Sequence, residues 1–121
     1  MKSLCIKRVY EPSGSEDGYR ILVDRLWPRG MKKENAHLFL WAKEVAPSNE
    51  LRQWFKHDPS RFDEFAHRYE IELEENSDAR AFAHTIQTLL LESNVTLLYG
   101  AKDEEHNQAV VLKGWVLRHL S

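Results

Sequence analysis

The chain has 121 residues, 42% hydrophobic and 30% charged, with a formal net charge of -2. That length supports a single domain, 1–121, that buries roughly two-thirds of its unfolded surface without metal or disulfide staples. The composition rules out global disorder, and the near-neutral charge gives no overall cationic field for nucleic acid, so any anion site must be local. The one cysteine, Cys5, can form no internal bridge and no Cys-rich zinc site; lying in an apparent strand, it reads as a small buried residue. Met1 to Val9 begins with one lysine and then alternates, with no apolar h-region, and no run approaches the roughly 18 apolar residues of a membrane span. The expected protein is therefore cytoplasmic, with no membrane partner, and the lack of a disulfide framework agrees.

In chain order, Leu4, Ile6 and Val9 open a first strand, and Pro12, Gly14 and Gly18 with three acids mark a solvated loop. "YRILVD" is a second strand, whose continuous Ile21, Leu22 and Val23 predict burial on both faces and flanking helices. Met31 to Asn35 has room for one helical turn. Ala36 to Val45 reads two ways: it alternates as a short strand or extended segment ending at Pro47, the favoured reading, yet Leu38, Trp41 and Val45 also fit a helical stripe.

Ser48 stands where an N-cap belongs for a helix through "NELRQWF", which stops at "KHDP" because the residue before Pro59 is pushed out of the helical region. His57 and Asp58 thus read as a helix end rather than a dyad. Ser60 with Asp63 suggests a variant capping box, ahead of an amphipathic helix carrying Phe62, Phe65, Ala66, Tyr69 and Leu73. A second carries Ala79, Phe82, Ala83, Ile86 and Leu90. "VTLLYGA" is the third clear strand, and Ala109, Leu112, Val116 and Leu120 draw a last helical stripe. Strands separated by helices give an α/β fold: a small, mostly parallel sheet of three or four strands flanked by about four helices. The acidic runs "EIELEEN" and "KDEEH" read as solvated faces.

Two strands end unusually, in "DRLWPRG" and "AKDEEHN". Ligands of open α/β sheets sit beyond the carboxyl ends of the strands. If these two strands are neighbours, Arg25, Trp27 and Arg29 meet Lys102, Asp103 and His106 across one crevice. Arginine can chelate two oxygens of a phosphate or carboxylate while lysine acts as a point charge, and a tryptophan can wall the pocket. His106 is the candidate acid or base, beside Asp103, because imidazole is the side chain that ordinarily changes charge near neutral pH. The same logic extends to the helix starts at Ser48, with Arg52 one turn on, and near His106. Each residue also has a plainer role: Arg25 and Arg29 pairing with Asp24, Glu44 or the acidic loop, Trp27 plugging the sheet end, Lys102 and Asp103 tying a loop, His106 capping a helix. No HxxxH, HExxH, paired-Cys, GxxxxGK, GxGxxG or GxSxG pattern occurs, so neither a metal nor a cofactor is expected.

Taken together, "KRVYEP", "GYRILVDRLWPRG", "WAKEVAPS", "LRQWFKHDP", "FAHRYEIEL" and "LLYGAKDEEHNQAVVL" resemble the YeaO-like family of uncharacterised bacterial proteins over nearly the whole chain. The resemblance implies a small cytoplasmic α/β domain of unknown function, with charged motif positions at Arg8, Arg25, Arg29, Lys102, Asp103 and His106. It also marks departures. Gln108 stands where a second histidine is expected in relatives, and Tyr99 stands where distant members place a cysteine, which argues against a thiol mechanism.

Three functions follow as expectations. The leading one is a pocket in which Arg8, Arg25, Trp27, Arg29 and Lys102 bind a phosphate- or carboxylate-bearing small molecule, a nucleotide among the candidates, with turnover by His106 and Asp103 left open. The second is a structural or protein-interaction domain whose arginines are paired internally. The third is a nucleic-acid-binding regulator that uses "RLWPRGMKK" as a basic patch, with Arg25, Arg29, Lys32 and Lys33 on phosphates.

Overall fold

A computed structural model describes residues 2–120. Met1, where the expected leaderless N-terminus begins, and Ser121, the end of the expected 1–121 domain, lie outside the described residues. The sheet has four strands, β1 (Leu4–Arg8), β2 (Tyr19–Leu22), β3 (Leu40–Trp41) and β4 (Val95–Tyr99), all parallel, in the order β1-β4-β2-β3. Five helices accompany it: α1 (Lys33–Ala36), α2 (Asn49–Phe55), α3 (Phe62–Glu75), α4 (Ser77–Leu90) and α5 (Gln108–Arg118). The α/β reading of the sequence holds.

Alternation along the strands divides the core into two layers. Ile21 and Val23 of the second strand and its extension, with Val95, Leu97 and Tyr99 of β4, face the main core, which α3, α4 and α5 close with Phe65, Tyr69, Ile86, Leu112 and Trp115. Leu22 and Leu98 face the other way and join Val9 in a smaller cluster, roofed by Trp27, Met31, Leu38 and Trp41. This explains why the run Ile21 to Val23 is wholly buried. Helices α2 to α5 cover one face, whereas the other is covered mainly by the segment between β2 and β3, with one short turn of helix in it. At roughly 25 cal/mol per Å² of apolar surface, each fully buried Leu, Ile or Phe in these layers contributes about 1.5–3 kcal/mol.

Several local expectations change. Cys5 is exposed, not buried: β1 is an edge strand, and its second face lies outside the aromatic roof. The segment from Ala36 to Val45 is no single element. Ala36 ends α1, His37 turns through φ 50°, Leu40 and Trp41 pair with Ile21 and Leu22, and Lys43–Val45 forms a 3-10 turn. Ser48 does cap α2, accepting from the Leu51 amide at 3.1 Å, and its hydroxyl donates to Glu72 Oε2 at 2.6 Å. The expected Ser60–Asp63 box is absent; Asp58 instead accepts from the Ser60 amide at 3.0 Å and caps a 3-10 turn, Pro59–Arg61, that leads into α3. Nor is "EIELEEN" merely solvated, because Glu70 holds Arg118, Glu72 holds Ser48, and Glu74 accepts from Trp115 Nε1 at 3.0 Å.

Gly18 is the tightest point of the chain. Its φ of +64° is left-handed, and a Cβ there would sit 1.9 Å from the Asn94 carbonyl oxygen, so only glycine brings the loop against the start of β4.

Candidate functional site

The two charged loops do lie side by side. β2 and β4 are hydrogen-bonded neighbours, from Tyr19 beside Val95 to Leu22 beside Leu98. Just past their ends the Asp24 carboxylate accepts from the Gly100 amide at 2.9 Å, and it also accepts from the Gln108 side-chain amide. A Cβ on residue 100 would stand 2.9 Å from Asp24 Oδ2, so the missing side chain is what lets the two strand ends join.

A cavity of about 220 Å³ opens over this junction, with Asp24, Arg25, Arg29, Arg52, His57 and Gln108 among its polar groups and Trp27, Pro47, Phe55 and Phe65 among its apolar walls. A broader hollow of about 690 Å³ adjoins it and brings in Arg8, Lys102 and Asp103. Tyr10, Arg29, His57, Gly100 and Ala101 border both.

Of the residues expected from the sequence, Arg25, Trp27 and Arg29 line the inner cavity, and Arg8, Arg29, Lys102 and Asp103 line the outer one. Their side chains are differently committed. Arg25 donates through Nε to the Pro47 carbonyl at 2.8 Å and through Nη2 to the Ala46 carbonyl at 3.3 Å. Arg8 donates through Nε to the Ala101 carbonyl at 2.8 Å and lies 4.6 Å from the centre of the Tyr10 ring. Trp27 donates to the Met31 carbonyl at 2.6 Å and packs edge-on against Trp41. These three groups shape the walls. Arg29 and Lys102 are exposed, and neither side chain has a partner among the described residues; what holds the Arg29 backbone is the Tyr10 hydroxyl, donating to its carbonyl at 2.6 Å.

Asp103 and His106 form a close pair, Nδ1 to Oδ2 at 2.9 Å, and Asp103 Oδ1 also accepts from the amides of Glu105 and His106. The Glu105 amide, against the opposing effect of burial and with help from the His106 ring, holds the Asp103 carboxyl below its ordinary range. The ring of His106 stands edge-on to Phe62 and borders neither cavity. Asn107, fully buried, is the N-cap of α5 and accepts from the Val110 amide at 3.1 Å.

The sequence reading gave no site role to Asp24, Tyr10 or His57. Burial pushes the Asp24 carboxyl up to about 6, against the lowering effects of the Gly100 and Gln108 bonds and of the Arg52 charge. Arg52 is near enough to act on Asp24, yet forms no ion pair with it; Nη2 meets Asn49 at 3.2 Å, and Nε is buried without a partner. His57 reaches the cavity rim on left-handed backbone, φ 55°, following Lys56 at 49°, a conformation that costs of order 1 kcal/mol or more per residue and recurs at ligand sites. One signal was legible: a carboxylate directly after three buried aliphatic residues has to sit at the sheet's end. Among the described residues no group of His, Cys, Asp and Glu is placed to hold a metal, and no helix is long and apolar enough to cross a membrane.

Residues 3–121 match the family described as the inactive DUF488-N3 subclade. The chain belongs to this subclade. An uncharacterised protein of Mycobacterium tuberculosis strain H37Rv is 44% identical over 107 residues, 88% of this chain and 87% of the relative. The uncharacterised protein YeaO of Escherichia coli K12 is 42% identical over 110 residues, 91% of this chain and 93% of YeaO. The likeness to YeaO seen in the sequence is therefore a family relationship, and the function of the DUF488-N3 relatives is unknown. No solved structure matches the chain.

Proposed function

We propose that the protein binds a small phosphate- or carboxylate-bearing molecule in the crevice beyond β2 and β4, and binds it without turnover. The observation that carries this reading is Arg29: a guanidinium with no partner among the described residues, set on the border of two adjoining cavities with Lys102, also unpaired among those residues, nearby. Such a fork suits two oxygens of one anion. Arg8, Arg25 and Trp27 hold the walls in place, so their contribution to binding is indirect. Asp103 and His106 are the acid–base couple nearest the crevice, but Asp103 is engaged in three bonds that hold the loop before α5, and the subclade is described as inactive. Both points favour binding over catalysis.

Among Arg8, Arg25 and Arg29, the internally paired alternative is supported only for Arg8 and Arg25, and there the partners are backbone carbonyls, not carboxylates. Isothermal titration with ribose 5-phosphate tests the reading: binding should weaken about tenfold or more in Arg29→Ala, the loss expected for one charge-assisted contact. Unchanged affinity in that variant, or no binding by the parent, rejects it. A steep salt dependence of binding to duplex DNA would favour the nucleic-acid reading instead.

A further inference from the structure

We propose that the occupant of the crevice carries two phosphoryl groups at opposite ends of a small carbon skeleton, as a sugar bisphosphate does, with one group in each compartment. The inference rests on the anion-binding reading above and adds a second anionic end to the ligand.

Away from the crevice, carboxylates are matched to arginines: Arg20, Arg61, Arg68 and Arg118 each form an ion pair, at 2.5 to 3.7 Å. The four arginines that line the crevice, Arg8, Arg25, Arg29 and Arg52, form none among the described residues. Where they are bonded, the acceptors are neutral oxygens: the carbonyls of Gly100 and Ala101 for Arg8, those of Ala46 and Pro47 for Arg25, and the Asn49 side chain for Arg52. A neutral acceptor satisfies a donor and leaves its charge uncancelled. Lys102 adds a fifth cation.

Against these five cations the two hollows present two carboxylates, Asp24 and Asp103. The lining therefore holds an excess of three positive charges, in a chain whose 17 Lys and Arg are outnumbered by 19 Asp and Glu. Such a local field concentrates anions of matching charge. A phosphate monoester brings about −1.5 to −2 at neutral pH and a dicarboxylate about −2, which leaves part of the excess unmet. A sugar bisphosphate brings about −3 to −4 and cancels it.

The placement of the cations separates the two groups. Arg25 and Arg52 border only the inner compartment, of about 220 Å³, Arg8 and Lys102 border only the outer one, of about 690 Å³, and Arg29 borders both. Each compartment thus has two cations of its own, shares a third and holds one carboxylate. Asp24 does not close the inner compartment to a phosphoryl group, because three arginines on the same lining outnumber it and its oxygens already accept from the Gly100 amide and the Gln108 side chain. Arg52 also has a buried Nε with no acceptor among the described residues; an unmet buried donor is costly, and an oxyanion in the inner compartment supplies the acceptor. Pyrophosphate, its phosphorus atoms joined through one oxygen, would leave one set of cations unused, whereas groups held apart by a carbon skeleton reach both.

The experiment is calorimetric titration of the full chain at pH 7.5 and fixed salt with fructose 1,6-bisphosphate, fructose 6-phosphate and pyrophosphate. The bisphosphate should bind about tenfold or more tightly than either of the others. Arg52→Gln on the inner side and Lys102→Ala on the outer side should each weaken the bisphosphate by about fivefold or more. Equal affinity for fructose 1,6-bisphosphate and fructose 6-phosphate overturns the inference and leaves a single anion site standing. Pyrophosphate bound as tightly as the bisphosphate, or a bisphosphate affinity that responds to only one of the two substitutions, overturns the division between compartments. No binding of any probe overturns both readings. The ranking of the three probes is read on the unmutated chain, so poor folding of a variant does not shield the proposal.

Discussion

Replacing Asp24 with asparagine should make the protein more stable at neutral pH, and only there. The side chains have nearly the same shape, so the substitution removes a charge and leaves the packing. Burial raises this carboxyl from its ordinary 3.8 to about 6, a difference that at 1.36 kcal/mol per pH unit is worth about 3 kcal/mol against the folded state once the group is ionised. The sign follows from proton counting. Between the two pKa values the folded chain holds more protons than the unfolded one, so stability falls as pH rises from about 4 to about 6 and stays low above. In the Asp24→Asn variant the side-chain oxygen still accepts from the Gly100 amide, and the Gln108 amide can turn to accept from the new N–H group. The parent should therefore lose up to about 3 kcal/mol relative to the variant between pH 4 and pH 7.5. Urea unfolding at half-unit intervals across that range measures it. A variant less stable than the parent by a constant amount at every pH would refute the reasoning, because it would mean that the carboxylate is a net tie and not a buried charge held at a cost.

Arg25→Ala strips the donors from the Ala46 and Pro47 carbonyls and should cost about 1–3 kcal/mol, read as a lower urea midpoint; an unchanged midpoint would return Arg25 to the ligand. Gly18→Ala places a methyl group against the Asn94 carbonyl at a left-handed φ, and a loss of roughly 4 kcal/mol or more, seen as a collapsed thermal transition, is expected; a normal melting curve would contradict the fold at that loop. Cys5 is exposed on an edge strand, so a thiol reagent should label it fully in the native protein, and labelling only after denaturant would show the second face of β1 to be covered.

What the sequence made legible follows from how local each signal is. Periodicity over 14-residue helices such as α3 and α4, and unbroken apolar runs in β2 and β4, arise from burial on one or two faces, so they announced the sheet and its helices. Elements of two to four residues, such as β3 and α1, carry too few positions for a period to emerge, and their form is set by which residues reach the sheet edge. The exposure of Cys5 depends on strand order, which no local pattern reports. At the site, the pairing of the two charged loops could be anticipated from the rule that ligands gather at strand ends. Which arginines are free could not, because Arg8 and Arg25 are occupied by backbone carbonyls that side-chain composition does not reveal. Asp24 was visible as a residue but not as a site, since its perturbation comes from burial at the junction of the two strand ends, against the lowering effects of Gly100, Gln108 and Arg52, and no local pattern reports that burial.

The claim beneath all of this is that the hollow over the ends of β2 and β4 takes an anionic small molecule. An amide-detected NMR titration of the full chain with ribose 5-phosphate tests it most directly. Saturable shifts concentrated on Arg29, Gly100, Ala101 and Lys102 are predicted; an unperturbed spectrum at millimolar probe, or shifts centred on the far ends of the strands, would contradict the account.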